Sequence, residues 1–430
     1  MATVKPFPGY RYAKPLVEKR GIGKLVAPPY DVISEKEKKR LAEEPYNFVH
    51  LILGKDETGY QNVQRRLQEW IDRGVFTRDS SPSFYIYEQE FRLNSFGRKK
   101  RTGLVTLVRI EEFEKRIISP HERTMPKYSM DRLELLRATR ANLEQIFSLY
   151  NDPQRTIDHL LEEHKREEGM LFEFTDHQNV VHRLWRLEDE KAVQTIRRIL
   201  SPRTLIIADG HHRYETSLLY RRERREALSE PLFEIPEDYT MMTLVNIHNP
   251  GLLVLPTHRL LHDLPEEHLD DFFKRCETYF EVRIFSNERE MEDFLLSAPP
   301  YTIGVYDRKK ERWGTITLKD PRVMDERLGV EDVNRHLDTT ILHDLIFREI
   351  LGLNKDGQGE SDYVDYLRGT KDVFAIAREE NKYQLVFVMR PTPIEQVERA
   401  VMAGQRMPQK STYFYPKVWS GLVFRVFEEV

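Results

Sequence analysis

The stretch Thr204-Leu205-Ile206-Ile207-Ala208-Asp209-Gly210-His211-His212-Arg213-Tyr214-Glu215 joins an apolar run to a charged one through a two-residue break. Five aliphatic and β-branched residues bounded by Asp-Gly predict a buried strand. The charge-rich segment from His211 to about Leu228 predicts a helix that starts directly after the turn. A helix start carries free N–H groups and a positive partial charge, so it holds anions. Gly210 permits a tight turn and close backbone approach. Arg213 offers bidentate contacts to phosphate, and His211 and His212 donate hydrogen bonds or move protons near neutral pH. Cationic groups are unfavourable at a helix start, and three in a row make sense when an anion arrives to neutralise them.

Outward from this unit, alternation and capping signals predict a mixed α/β or α+β chain. Strands are expected over 84–91 and 103–110, joined by a polar turn with Asn94, Ser95 and Gly97. Further strands are expected at 170–174, 180–184, 240–247, 280–285, 384–389 and 421–427, with a hairpin of 302–306 and 315–318. Helices are expected at 59–74, 188–200, 264–278, 287–297, 335–351 and 392–402, and a capping box at Ser34 opens another. Asp131 is read as the cap of a long helix reaching Tyr150. On its wheel Leu136, Leu143, Phe147 and Tyr150 share a face that also holds Arg140, an arginine that must reach outward or meet a buried anion. The expected domains are 1–230 and 231–430, with the boundary at 231–236.

The 430 residues suffice for two or three domains. No run approaches the ~18–20 apolar residues of a membrane span, and the first residues lack the apolar core of a secretory signal. The single cysteine, Cys276, excludes an internal disulfide framework and a cysteine-rich zinc site, and it suits a reducing cytoplasm. With 67 Lys plus Arg against 71 Asp plus Glu, the net charge of −4 lends no support to broad nucleic-acid binding. The run Arg98-Lys99-Lys100-Arg101 is read as a solvated turn. Mixed charge runs such as Glu162-Glu163-His164-Lys165-Arg166 are expected to be ion-paired helix faces. Such surfaces also occur in heat-adapted proteins, a source that a melting midpoint in the ordinary mesophilic range would exclude.

Three other segments carry chemistry. In Ala27-Pro28-Pro29-Tyr30-Asp31 the prolines fix an extended backbone, so Asp31 is held ready for a metal or a substrate amine, or as a local cap. In Ser119-Pro120-His121-Glu122-Arg123-Thr124, His121 and Glu122 offer an acid/base pair. Near the end, Lys410, Ser411 and Thr412 supply a cation and two hydroxyls in a loop bracketed by Pro408 and Pro416, without the glycine-lysine spacing of a Walker motif. His258 and Arg259 are read as structural or site-lining. His336 and His343 make no metal site by themselves, and the spacing after Asn354 fails as a calcium loop.

Gly210-His211-His212-Arg213 resembles the strand–Gly-x-x-Arg–helix element that ParB-type CTPases, sulfiredoxins and free-serine kinases use for nucleotide phosphates. His211 stands where sulfiredoxins place their cysteine, so that chemistry is not implied, and Asp-Gly-His-His-Arg looks closer to the free-serine kinases. A wider resemblance rests on Lys5-Pro6-Phe7, Ala27-Pro28-Pro29-Tyr30-Asp31-Val32-Ile33, Asn47-Phe48-Val49-His50, His121-Glu122-Arg123-Thr124, Pro256-Thr257-His258-Arg259 and the run from Met407 to Lys417. On these the chain is identified as a member of the domain-of-unknown-function 1015 family. The resemblance implies a ParB/sulfiredoxin-like core with large insertions, and a second α+β region whose C-terminal loop returns to the site. It also implies serine or phosphoserine as substrate.

Residues and resemblance together point to nucleotide-dependent phosphoryl transfer to a small hydroxyl metabolite, serine first. ATP or ADP is the expected nucleotide, with CTP as the variant, and Mg2+ accompanies it. A phosphatase acting on phosphoserine and a non-enzymatic nucleotide-binding switch are the alternatives. Gly210, Arg213, Lys410, Ser411 and Thr412 are expected to bind phosphate. Asp209, His211 and His212 are expected to be catalytic, with Asp209 or Asp31 as base or magnesium ligand. Asp31, His121, Glu122 and Arg140 are expected on the substrate. No residue is assigned to a dedicated metal site. The expected partner is a small molecule, with no membrane and no nucleic acid, and a homo-oligomer is left open. The 209–213 turn, the His121-Glu122 loop and the 410–412 loop are expected to share one pocket. Arg213→Ala is expected to weaken phosphate binding and barely change the fold.

Overall fold

The computed structural model describes residues 1–93, 96–123, 127–230, 232–353, 362–368 and 372–428, without the side chains of 127–129. Asn94, Ser95, Thr124, Pro231 and the loop that begins at Asn354 lie outside the described residues. Among those described, no helix is long and apolar enough to cross a membrane. The chain divides into two compact units. The first comprises Met1–Pro120, Thr124–Leu253 and Pro416–Val430, the second His121–Arg123 and Val254–Tyr415.

The first unit is built on a mixed sheet. Its strand order is Ile118–Pro120, Leu205–Asp209, Ile146–Tyr150, Tyr239–Asn246, Gly97–Arg109, Phe84–Leu93, Val181–Leu187 and Met170–Thr175, and Val4–Lys5 adds to Gly97–Arg109. Leu205–Asp209 runs parallel to Ile118–Pro120 and antiparallel to Ile146–Tyr150. The helices Glu190–Leu200 and His211–Glu226 supply Ile196, Leu200, Tyr214 and Leu218 to a core shared with Ile86, Leu104, Leu205 and Met242 of the sheet. Ser34 caps Glu35–Ala42 by accepting from the Glu37 N–H at 3.2 Å, and Asp189 caps Glu190–Leu200 through Ala192.

Two expectations are corrected here. The helix before the sheet is Lys127–Thr139, and Arg140 ends it with φ at 47°, in the left-handed region. Residues 141–150 are therefore not helical. Ala141–Asn142 pairs with Arg425–Val426, and Ile146–Tyr150 is a strand with all five residues buried. Hydrogen-bond partners on both edges decide that conformation over the 3.6-residue spacing. The basic run at Arg98 is a strand, not a turn. Its charges alternate with the pleat: Arg98 pairs with Glu90, Lys100 stands 3.6 Å from Glu88, and Arg101 points inward, 2% exposed, over the Phe147 ring.

The second unit holds an antiparallel six-stranded sheet ordered Phe280–Phe285, Arg312–Leu318, Thr302–Asp307, Tyr383–Val388, Thr257–His262 and Val364–Arg368. Its core gathers Phe272, Cys276, Ile303, Ile316, Leu345 and Phe387. The helix expected over 264–278 is two short ones, Glu266–Leu269 and Phe272–Cys276, parted at Asp271, whose φ is 50°. The helix expected over 335–351 begins only at Asp338 and widens into a π-helix over Leu342–Ile350. His336 thus precedes it, and the two histidines do not share a helix face. The last expected strand shrinks to Arg425–Val426 in the first unit.

Candidate functional site

In the first unit, the strand Leu205–Asp209 ends at Gly210, whose φ of 88° suits glycine. A Cβ there would stand 3.0 Å from Arg213 Nε and 3.1 Å from its Cζ and Nη2. The guanidinium therefore folds back over the turn, and its Nη1 donates to the Gln145 carbonyl. On the other side Lys417 Nζ donates to Asp209 Oδ2 at 2.9 Å, with the two side chains 11% and 20% exposed. Burial opposes the Asp209 charge, yet Lys417 and Arg213 hold its carboxyl well below the usual range. Burial likewise opposes the Arg213 charge, while Glu144, Asp209 and Asp31 hold its pKa above the ordinary value. Two cations, Arg213 and Lys417, are thus gathered beside Asp209 at one helix start. His211 lies near enough to Asp209 to stabilise its anion, and His212 Nδ1 stands 3.7 Å from Glu215.

Glu144 organises the approach. Nearly fully buried, it accepts from the Tyr30 N–H at 3.1 Å and from Ser420 Oγ at 3.1 Å, and it stands 3.7 Å from Arg132 Nη1. Arg132 lies over the Tyr30 ring at 4.3 Å and donates to the Ile52 carbonyl and the Tyr60 hydroxyl, each at 2.8 Å. Ala27 exchanges backbone hydrogen bonds with Ser420 at 3.2 and 2.8 Å. The proline-stiffened segment is therefore clamped along its length, with Asp31 exposed at its end. A cavity of about 50 Å3 lies between Arg132, Glu144, Arg213 and the apolar Leu135, Leu136 and Leu143. It has the size of a water or two.

Glu144, Arg132 and Lys417 were not among the expected site residues. Glu144 sits inside the stretch misread as helix, and Arg132 follows the residue read as its cap. Lys417 closes the Met407-to-Lys417 run, in which Lys410 is the cation the sequence singles out. Arg140 receives the Phe427 N–H on its carbonyl at 2.8 Å and lies against the Tyr220 hydroxyl.

In the second unit, His121, Glu122 and Thr412 come together. Thr412 donates from its backbone N–H and its hydroxyl to Glu122 Oε1, each at 2.9 Å, and its Oγ1 lies 2.7 Å from His121 Nε2. With the hydroxyl donating to Glu122, the imidazole proton sits on Nε2. His121 is buried, and its carbonyl accepts from Met407 at 2.7 Å. Ser411 Oγ donates to the Pro408 carbonyl at 2.7 Å. Lys410, with φ at 59°, offers its carbonyl to the buried Arg259 at 3.1 Å. Both hydroxyls thus hold the loop in shape. His258 accepts the Met389 N–H at 3.1 Å, and burial beside Arg259 pushes its pKa down to about 4.

The family described as "Protein of unknown function (DUF1015)" matches residues 4–340. The chain belongs to this family. The DUF1015 match spans Asp31, Glu144 and the Asp209-to-Arg213 turn and stops before Lys410 and Lys417. A search of curated proteins finds no match. Among solved structures, this DUF1015 chain is similar to free serine kinase in complex with AMP, at 13% identity and a TM-score of 0.33, over 69% of this chain and 83% of that one. It is similar to SbnI with C-terminal truncation from Staphylococcus aureus at 9% identity and a TM-score of 0.34, over 74% and 85% of the two chains. A conserved hypothetical protein from Pyrococcus furiosus aligns at 11% identity and a TM-score of 0.32, over 69% and 87%.

Proposed function

We propose that this DUF1015 protein transfers a phosphoryl group from a nucleotide to the hydroxyl of a small metabolite, with serine as the first acceptor to test. One observation carries the reading: a guanidinium folded over a left-handed glycine, with an ammonium beside it, at the start of a helix of 16 residues. Phosphoryl transfer depends on positioning and charge neutralisation more than on covalent chemistry. Arg213 and the backbone N–H groups of the helix's first turn hold phosphate oxygens, and Lys417 supplies the second cation. Asp209, with its pKa held low, is a weak proton acceptor near neutrality, and its role in this reading is to aim Lys417. The acceptor proton passes to His211, His212 or Asp31. The likeness of Asp-Gly-His-His-Arg to the free-serine kinases supports the choice of acceptor.

Magnesium fits such a site in one way. Among the described residues no three His, Cys, Asp or Glu side chains group to hold a metal ion. Mg2+ commonly takes one or two carboxylates and completes its shell with water and substrate phosphates, which it neutralises. Asp31, exposed and close enough to bias Arg213, is the residue that would hold it.

Thermal-shift measurements with ATP, ADP, CTP and phosphate, with and without Mg2+, followed by an assay for O-phosphoserine, test the reading. The expected result is stabilisation by one nucleotide and serine-dependent consumption of it. No stabilisation by any of them overturns it. Phosphate release from phosphoserine without nucleotide selects the phosphatase, and nucleotide binding without turnover selects the switch.

A further inference from the structure

The Lys5-Pro6-Phe7 segment takes no part in the turn at Gly210, yet it lines a cavity of about 470 Å3 within the first unit. That is the size range of small-molecule sites. Its walls include Pro6, Pro8, Pro82 and Pro236, whose fixed φ angles keep the cavity open without induced fit. Phe7, Leu107 and Tyr239 add apolar surface.

The charges are uneven. Lys5 pairs with Glu234 at 2.7 Å, and Arg78 pairs with Glu428. These are rim pairs, with side chains from 35% to 69% exposed, and exposed pairs exchange partners at little cost. Arg425 is different. Its Nη1 donates to the Tyr239 carbonyl and its Nη2 to the Pro236 carbonyl, each at 2.8 Å, and its plane lies 4.7 Å from the centre of the Phe427 ring. None of these contacts is to a carboxylate, so a guanidinium is held in one orientation by neutral partners, with nearby carboxylates acting on it only from beyond hydrogen-bond reach. Burial pushes its pKa down to about 10, against the weaker pull of Glu237, Glu428 and Glu234. An anion in the cavity would relieve that.

We infer that this cavity binds a small organic anion, a carboxylate or a phosphate ester, with Arg425 as its fixed cation and Lys5 and Arg78 as cations that turn inward from the rim. The site is separate from the turn at Gly210 and stands or falls independently of the proposed phosphoryl transfer.

Calorimetric titration of the full chain with citrate and with inorganic phosphate tests it. Saturable binding of at least one probe in the millimolar range or tighter is expected. Lys5→Gln/Arg78→Gln should weaken it about tenfold or more, because rim cations are removed without touching the core. Glu428→Gln should tighten it severalfold, since a competing carboxylate leaves; an ion pair with only a structural role predicts no such gain. Arg213→Ala should leave the titration unchanged. Citrate alone binding identifies a carboxylate ligand, phosphate alone a phosphate ester, and both the shared oxyanion. No saturable binding up to roughly 10 mM, or binding insensitive to all three rim substitutions, or binding abolished by Arg213→Ala, overturns the inference.

Discussion

At Gly210 the backbone and one side chain compete for the same few ångströms. The position needs a left-handed residue, and the guanidinium of Arg213 occupies the space a Cβ would take. Gly210→Ala should therefore cost about 1–2 kcal/mol of stability and displace Arg213, which a lowered melting point together with lost nucleotide stabilisation would register. Arg213→Ala should weaken phosphate-ligand binding by ~1.5–3 kcal/mol. The expectation that it spares the fold is revised: the Gln145 carbonyl would lose its guanidinium donor and Glu144 and Asp209 would each lose one of their neighbouring cations, so it should also cost about 1–3 kcal/mol in urea unfolding. Lys417 sets a pH signature. The folded pKa of Asp209 is depressed, so its stabilisation is complete above the unfolded carboxylate value of about 4 and is lost as pH falls toward the folded one. Lys417→Met should flatten the loss of unfolding free energy below about pH 4, and an unchanged acid limb would contradict the pairing. The turn itself was legible because strand, glycine and helix follow one another in the chain. Lys417 was not, because it reaches Asp209 from 208 residues away.

Elements divide the same way. The strands at 84–91, 103–110 and 240–247 and the hairpin at 302–318 were readable from alternation and turn residues. The 141–150 stretch was not, because Leu136, Leu143, Phe147 and Tyr150 happen to recur at helical spacing while the outcome rests on two neighbouring strands distant in sequence. The boundary at Arg140 yields a test. Arg140→Gly should relieve the left-handed strain at the cost of the contact with Tyr220, giving a stability change within about 1 kcal/mol and unaltered nucleotide binding. A tenfold loss of ligand affinity would instead place Arg140 in the substrate site. The paired strands Phe84–Leu93 and Gly97–Arg109 carry a network in which Glu88 meets Lys165 at 2.6 Å and Arg183 at 2.8 Å, with Glu90 on Arg183 at 3.0 Å. Ion-pair networks of this kind gain value with temperature, so the melting midpoint remains the measurement that decides whether the protein is heat-adapted.

On the scale of the molecule, each unit has its own core, and Cys276 reports on the second. Fully buried, its thiol pKa is pushed up to about 12. It should resist a thiol reagent at pH 8 until that core opens, so the labelling rate should follow unfolding and not the added reagent. The first unit is assembled from separated pieces of chain. Pro416–Val430 returns to it bringing Lys417 to Asp209, Ser420 to Ala27 and Glu144, and Arg425–Val426 to Ala141–Asn142. During synthesis, then, the first unit is all but fully translated and still incomplete while Val254–Tyr415 emerges. At ~5–20 residues per second that interval lasts roughly ten to thirty seconds, in which one edge of its core stays uncovered on the ribosome. The later-made unit can fold before the earlier one closes, which makes the growing chain a natural client for chaperones that shield apolar surface until the last residues leave the exit tunnel.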